Sequence, residues 1–596
     1  VNKKLAKYIP ALQWLSSYNQ KDFRGDLVAG LTTAVMLIPQ GMAYAMLAGL
    51  PPIIGLYAST VPLIVYALFG TSRQLAVGPV AMVSLLTAAG VGAIAQGGTE
   101  AYIMYAILLA LMVGVMQFGM GLARMGMLTN LLSHPVLAGF TSAAALIIGF
   151  SQLKHILGLD LERSNHIHQI LMQAFAQIGD TQIYALIIGV ISVALLVVLK
   201  KYKPMWPRAL AVVVLGTLTV WGFGLHEQGV AIVGDVPAGL PSFAMPEISW
   251  DAMGELFPIA LTIALVSFME SIAVAKKVAQ RHGYEIDSNQ ELIGLGAANI
   301  FGSMFGSYTV TGGFSRTAVN DQAGAKTGMA AIITAVVIGL TLMFLTGMFY
   351  YLPKSVLAAI IMTAVFGLID VKEAKHLWKV NRSELALMGI TFVATLSVGI
   401  EEGILVGVGA SMLWFLYRTT KPHVAVMGRL PDTTVYRNVE RYPEVETVDG
   451  LLTVRIDSQF YYGNVTFLKD TLRNLEKQMN KPLRAVILDG AGINQLDSSA
   501  ETALHHIVEE YQERGIGFYF AAPKGPVRDI MKRASLWKAL GEDHITYTVH
   551  EAVENAVEDY IDGEPVRRTG AERVQRAAKD EDLESSPFAE PVKSPA

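Results

Sequence analysis

The sequence predicts a mainly α-helical polytopic membrane protein followed by a small cytoplasmic α/β domain. Three observations carry the prediction. The chain is 52% hydrophobic and only 16% charged, where a soluble domain carries about 25% charged residues. The deficit is uneven, because no Lys or Arg occurs between Arg208 and Lys276 while the stretch after Lys421 is ordinarily charged. Strand patterns alternating with amphipathic helix patterns begin only at Leu451. The expected organisation is a cytoplasmic N-terminal segment at 1–24, a transmembrane domain at 25–420, the α/β domain at 421–562 and a disordered, charged, Pro/Ser-containing tail at 563–596.

Crossing about 30 Å of hydrocarbon takes about 20 apolar residues. Candidate spans lie near 26–48, 53–69, 77–95, 100–122, 128–153, 181–200, 208–225, 254–275, 288–306, 314–325, 328–350, 353–369, 383–400 and 403–418. Loop charge orients them. Lys200, Lys201, Lys203 and Arg208 follow span six; Lys276, Lys277 and Arg281 follow span eight; Lys372, Lys375, Lys379 and Arg382 follow span twelve. These even-numbered loops are cytoplasmic if the N-terminus is, and the Lys-free loop from His226 to Trp250 is then outside. Lys154 and Arg163 run against the rule. "LSHPVLAGFTSA" from Leu132 and "LPKSVLAAIIMTA" from Leu352 share a pattern 220 residues apart. Seven spans per half would make such halves inverted, as in secondary transporters that hold substrate at broken helices near the midplane. Chance likeness of two apolar segments is the competing reading.

Two of the spans read as broken. In "LAVGPVAMVSLL", Gly78 permits a sharp entry and Pro79 suits a first helical position. In "TVTGGFSRTAVNDQAGAKT", Thr309 to Gly313 is a poor helix, Ser315 suits an N-cap, and a helix would start at Arg316. Non-helical backbone at membrane depth must be buried in protein or line a wet cavity. Facing helix N-termini offer roughly +0.5 charge each and free N–H groups. With Arg316 the sum is about +2, which favours an anionic ligand without choosing among anions. Alternatively, Gly78, Gly312 and Gly313 only allow close helix packing.

"LIPQGMAYAMLAGL" places Pro39, Gln40 and Gly41 inside the first span. Pro39 and Gly41 are expected to loosen the helix beside a cavity. Gln40 then offers an amide, with Tyr44 four residues on along the same face. The other reading has Gln40 bonding the backbone that Pro39 frees. Glu270 is the acidic residue well inside span eight, with Ser267 a turn before it and Ser271 beside it. A carboxyl at that depth faces protein or water and marks a functional site by default. It can take up and release a proton, or form a fixed ion pair with Arg316.

Beyond Leu451, "LLTVRID", "RAVILDG" and "IGFYFAA" read as strands and "SSAETALHHIVEEYQER" as an amphipathic helix. Ser498 with Glu501 three residues later reads as a capping box.

The run "DLVAGLTTAVMLIPQGMAYAMLAGLPPIIGLYAS", then "GTSRQLAVGPVA", and later "SRTAVNDQAGAKTG", resemble the signatures of the SulP anion permeases, the sulfate permease family. The likeness covers Asp22 to about Arg418, and the soluble part resembles the STAS domain of that family. The resemblance implies a 7+7 inverted repeat of core and gate bundles, commonly a homodimer. It places the anion between the third and tenth helices, at Gln40, Tyr44, Gly78, Val80, Phe314, Ser315 and Arg316. It makes Glu270 the coupling carboxyl; members with glutamate there look proton-coupled. Tyr44 stands where many relatives have Phe. In STAS relatives a serine after Asp is phosphorylated, which makes Ser498 a candidate phosphosite, although Ala500 replaces the usual Gly.

The expectation is a secondary active transporter, foremost a sulfate:proton symporter, in a bacterial inner membrane with both termini cytoplasmic. Bicarbonate, chloride or dicarboxylate transport, an anion channel, and a sensor regulated through a protein partner at the STAS domain are the alternatives. Several classes fall away. A net charge of −4 gives nucleic-acid binding no support, and the lack of cysteine excludes thiol chemistry. The N-terminal Lys3, Lys4 and Lys7 precede no cleavable signal pattern. "AGAKTG" lacks the Gly that a phosphate loop needs before Lys. No metal-ligand spacing or nucleophile–base arrangement appears, so neither an enzyme nor a cofactor is expected.

Overall fold

The computed structural model describes residues 9–130, 133–161, 167–202, 206–561 and 567–569. The chain divides into two compact units, Val1–Ser411 and Met412–Ala596. The expected tail at 563–596 lies almost wholly outside the described residues.

The first unit is helical. Five helices build the site: α1 Gln20–Leu47, α2 Ala81–Ile94, α3 Trp250–His282, α4 Ser288–Ser303 and α5 Phe314–Gln322. Helices occupy all fourteen expected ranges, the second as two pieces, Pro52–Tyr57 and Val61–Phe69. Among the described residues seven helices are long and apolar enough to cross a membrane. Capping explains the ends that extend beyond the apolar runs. Asn19 accepts from the N–H groups of Lys21 and Asp22 and starts α1 six residues before the apolar stretch. Left-handed Gly283 closes α3, with Arg281 and His282 in its last turn.

Pro39 does not open α1. The helix runs continuously through it from Gln20 to Leu47, so the expected loosening is corrected. The helix tolerates the missing N–H because neighbours hold it on all sides; Leu37, Met42, Ala43 and Ala45 are fully buried. Gly41 serves packing instead. A Cβ on the facing Gly55 would lie 1.9 Å from the Gly41 carbonyl oxygen, so the two backbones touch.

The second unit is a mixed sheet. Strands β1 (Val77–Gly78) and β2 (Thr311–Gly312) belong to the first unit; β3 Val424–Arg429, β4 Tyr436–Asn438, β5 Glu446–Val448, β6 Leu451–Ile456, β7 Ala485–Asp489, β8 Gly517–Ala521, β9 Ile545–Thr546 and β10 Arg567–Thr569 form the sheet of the second. Its order is β10-β5-β3-β6-β7-β8-β9, with β4 on β3. β6 to β9 are parallel, and helices α6 Val465–Lys477 and α7 Ser498–Glu513 make the first two crossovers. β7 and β8 are buried throughout, as strands covered on both faces must be. Val486, Leu488, Phe518 and Phe520 pack with Leu468 and Leu504 on one face; Ile487 and Tyr519 pack with Ala552 and Ala556 on the other.

The capping box at Ser498 is corrected. Asp497 is the N-cap: its carboxylate accepts from Ala500 N at 2.7 Å and from Tyr462 N at 3.0 Å. Ser498 is the first helical residue and exposed. Two charge-assisted bonds end on Asp497, so Asp497→Ala is expected to cost about 1 kcal/mol at this helix start, and Ser498→Ala under about 0.5 kcal/mol. Hydrogen exchange of residues 498–501 in the full chain measures both.

Candidate functional site

Two extended segments cross in the interior of the first unit. β1 pairs antiparallel with β2 through Val77 opposite Gly312 and Gly78 opposite Thr311. Gly78 sits at φ +148°, a conformation that L side chains rarely adopt, and a Cβ there would meet Arg316 Nη2 and Leu37 at ordinary van der Waals distance, so the backbone conformation and not crowding calls for glycine. Each strand feeds a helix that starts inside the unit. α2 starts after Val80 and α5 after Gly313, and neither carries a side-chain cap. Both expected starts are therefore corrected. Pro79 lies in the extended entry, two residues ahead of α2. Ser315 is no N-cap, because strand pairing holds the backbone extended through Gly313, whose N–H donates to Ala76 O at 3.2 Å. Phe314 and Ser315 occupy the first turn of α5 with exposed side chains, and Val80 is buried.

Arg316 lies in that same first turn and is 2% exposed. Its Nη1 donates to Pro79 O, tying α5 to the β1 segment. Its Nε and Nη2 are buried without partners among the described residues. A Cβ on Gly313 would stand 3.1 Å from Nη2 and one on Gly78 3.5 Å, so the guanidinium lies against both glycine segments. Tyr44, Glu270 and Tyr308 are close enough for its charge to act on each. Gln40 and Tyr44 are buried on α1, and the Gln40 Oε1 has no partner. This bears on the repair reading: Gln40 makes no hydrogen bond to the backbone around Pro39. Glu270 Oε2 is likewise buried without a partner among the described residues. No Glu270–Arg316 ion pair within 4 Å occurs among the described residues.

Buried polar groups are nearly always paired. Here an amide oxygen, a carboxylate oxygen and two guanidinium nitrogens are left over around two uncapped helix starts. That pattern fits a site for a small polar ligand.

The surrounding scaffold is densely hydrogen-bonded, in contrast, with Thr87 Oγ1 and Thr309 Oγ1 the buried hydroxyls near it that lack a partner among the described residues. Ser271 Oγ and Thr311 Oγ1 share a 2.7 Å bond, and Gly312 N donates to Ser271 Oγ at 2.8 Å. Thr311 Oγ1 also bonds Ser267 O at 2.8 Å, and Gln117 Nε2 donates to Ser267 Oγ at 2.8 Å. Asn299 on α4 accepts from Val310 N and donates to Val310 O. Thus α3, which carries Glu270, is bonded directly to β2. On the other side, Ala76 N donates to Thr317 Oγ1 and Asn320 Nδ2 to Gln74 O. Glu291, fully buried, accepts from Tyr66 Oη, Thr71 N, Thr71 Oγ1 and Ser72 N, fixing the loop before β1. Sequence reasoning missed Gln117, Asn299, Glu291 and Tyr308. The available signal was a polar side chain inside an apolar stretch, as with Asn299 in "LGAANIFG".

In the second unit, Ser498 stands at the end of the β7–α7 loop. Burial pushes the Asp489 carboxyl on β7 upward, against the Ala491 N–H that it accepts. No acceptor or donor bonds the Ser498 hydroxyl among the described residues.

Residues 23–391 match the sulfate permease family and residues 442–552 match the STAS domain. The chain is 44% identical over 563 residues to Sulfate transporter 4.1, chloroplastic, of Arabidopsis thaliana, covering 91% of this chain and 82% of that one. Probable sulfate transporter 4.2 of the same plant is 42% identical, with 92% and 83% covered. Among solved structures, murine Solute Carrier 26 family member A9, an anion transporter in the inward-facing state, superimposes with a TM-score of 0.86 at 26% identity, covering 94% of this chain and 95% of that one.

Proposed function

The chain belongs to the sulfate permease family, an integral membrane protein with a C-terminal STAS domain, and from that premise we propose that it is a secondary active sulfate:proton symporter. One observation carries the reading of the site: Arg316 is buried with unpaired Nε and Nη2 between two uncapped helix starts. The two starts supply roughly +1 and the guanidinium a full charge, matching a divalent oxyanion. Its planar donors suit sulfate oxygens. Gln40 and Tyr44 complete the wall on α1, and Gly78 and Gly313 let the ligand approach backbone. Val80, Phe314 and Ser315 lie at the two helix starts.

Glu270 supplies the coupling. Its ionised form cancels about one unit of that positive potential. Protonation restores it, so proton and sulfate each favour the other's binding, a reciprocity that linkage requires. The bonded unit of α3, β2 and α5 then carries anion and proton together when it moves.

The spans divide as a 7+7 inverted repeat, with the β1–α2 break in the third range answered by the β2–α5 break in the tenth. The segments with the shared pattern open helices at His134 and Lys354. The positively charged even-numbered loops and both termini face the cytoplasm. The setting is a membrane that holds a proton gradient, as the bacterial plasma membrane does, and a homodimer is the assembly that the family resemblance implies. A regulatory partner at the STAS domain, with phosphate on Ser498, belongs to the same reading.

Labelled sulfate uptake into proteoliposomes tests it. An inward proton gradient should drive accumulation, and unlabelled sulfate should compete better than bicarbonate, chloride or a dicarboxylate. Accumulation indifferent to the gradient would remove the symport, and stronger competition by another anion would replace the substrate.

A further inference from the structure

A cavity of about 60 Å³ lies between α1, α5 and the start of the helix Arg208–Phe223. At about 10–15 Å³ for each water it has room for several waters or one small oxyanion. Thr32, Met36 and Gln40 line it at four-residue intervals along α1. The next residue in that stripe is Tyr44, beside Arg316. The cavity therefore shares Gln40 with the site already described and ends one helical turn short of Tyr44 along the same face.

Its opposite wall is Trp206, Pro207 and Arg208. The Arg208 guanidinium is half-buried and makes no hydrogen bond or ion pair to a described residue, and no acidic side chain lines the cavity. Arg208 stands at the first residue of its helix, so its charge lies where the loop meets the cavity, with no described group to neutralise it. Gln40, 5% exposed, adds an amide whose oxygen is unpartnered. Val319 and Gln322 bring the far end of α5 to the same cavity. Gln322 is six residues from Arg316, about 9 Å along the helix. That end of α5 carries the negative pole of the helix, which opposes an anion leaving the site. A positive side chain opposite it offsets the barrier.

Resting on the reading of the chain as an anion transporter, we propose that Arg208, with Gln322 facing it, forms a second oxyanion station on the cytoplasmic approach to the Gln40–Arg316 site. The sidedness follows from the loop, where Arg208 closes the run Lys200, Lys201, Lys203. An outgoing or incoming anion passes from one guanidinium to the other without regaining its full water shell.

The test uses the full-length protein in liposomes, with sulfate supplied either from the face that bears the STAS domain or from the opposite face, the orientation fixed by protease accessibility. Arg208→Gln should raise KM for sulfate about tenfold from the STAS face, weaken its dependence on ionic strength, and leave KM from the opposite face within about twofold. Arg208→Lys should restore most of the affinity. Equal KM values for Arg208→Gln and wild type from the STAS face overturn the proposal, as does an equal rise from both faces. Liposomes without anionic lipid separate the two oxyanion sources: persistence of the shift there assigns the station to free sulfate, and its disappearance assigns Arg208 to a lipid phosphate and overturns it. Failure of the wild type to take up sulfate from either face instead removes the substrate reading on which the proposal stands.

Discussion

Replacing Arg316 with glutamine is expected to lower kcat/KM for sulfate by about a hundredfold or more, with a folded protein recovered. The magnitude follows from what the side chain does. Arg316 is buried with one nitrogen on Pro79 O and two others free. Truncating one partner of a desolvated, charge-assisted contact costs about 2–5 kcal/mol, and 1.4 kcal/mol is about tenfold. The helix starts remain in the variant, so weak binding should persist and the loss should appear mainly in KM. Glutamine can keep a donor toward Pro79 O, which separates anion loss from scaffold loss. Arg316→Lys should recover only part of the affinity, because a point charge lacks the planar fork. Thermal stabilisation of the purified protein by sulfate reports binding independently of transport. A KM within threefold of wild type in Arg316→Gln would move the anion elsewhere.

The parts of this site that were legible in the sequence are those governed by local rules. Gly78-Pro79 and Thr311-Gly312-Gly313 signalled interrupted helices because those residues disfavour helix wherever they stand. Burying Glu270 without a role is costly in a membrane, so its apolar surroundings marked it; Arg316 was marked by its place just after the Gly312-Gly313 break. The misplacements came from tertiary override. Ser315 has the chemistry of an N-cap, yet pairing of β2 with β1 decides where extended backbone stops, and β1 lies more than 230 residues away in the chain. Pro39 has the chemistry of a break, yet α1 runs unbroken through it in a closely packed setting. Asp497 displaced Ser498 as the cap because it also accepts from Tyr462 N on a distant loop. Gln117, Glu291 and Asn299 show in the sequence only as polar side chains inside apolar stretches, because their partners are set by the fold. The meeting of the two uncapped helix starts is likewise a tertiary fact, because only the pairing of the strands brings them to one place.

Glu270→Gln is expected to abolish gradient-driven accumulation while preserving sulfate exchange. Glutamine keeps the volume of the side chain and resembles its protonated form. It neither cancels the positive potential at Arg316 nor carries a proton back. Sulfate should therefore bind to the variant at every pH about as well as it binds to wild type at low pH. In the wild type, raising the pH ionises the carboxyl, whose charge opposes the incoming dianion, so affinity and uptake fall. In the variant that decline should disappear, leaving a flat profile, and an inward proton gradient should no longer concentrate sulfate. Counterflow of labelled against unlabelled sulfate needs no net proton movement and should continue. The pairing of results is what discriminates. Loss of both activities points to a structural role for Glu270 in holding α3 against β2, whereas an unchanged pH profile with retained accumulation places the coupling proton on another group. A fixed salt link to Arg316 gives a third signature, weaker sulfate affinity with the wild-type pH slope, and the unpartnered Oε2 of Glu270 argues against that outcome.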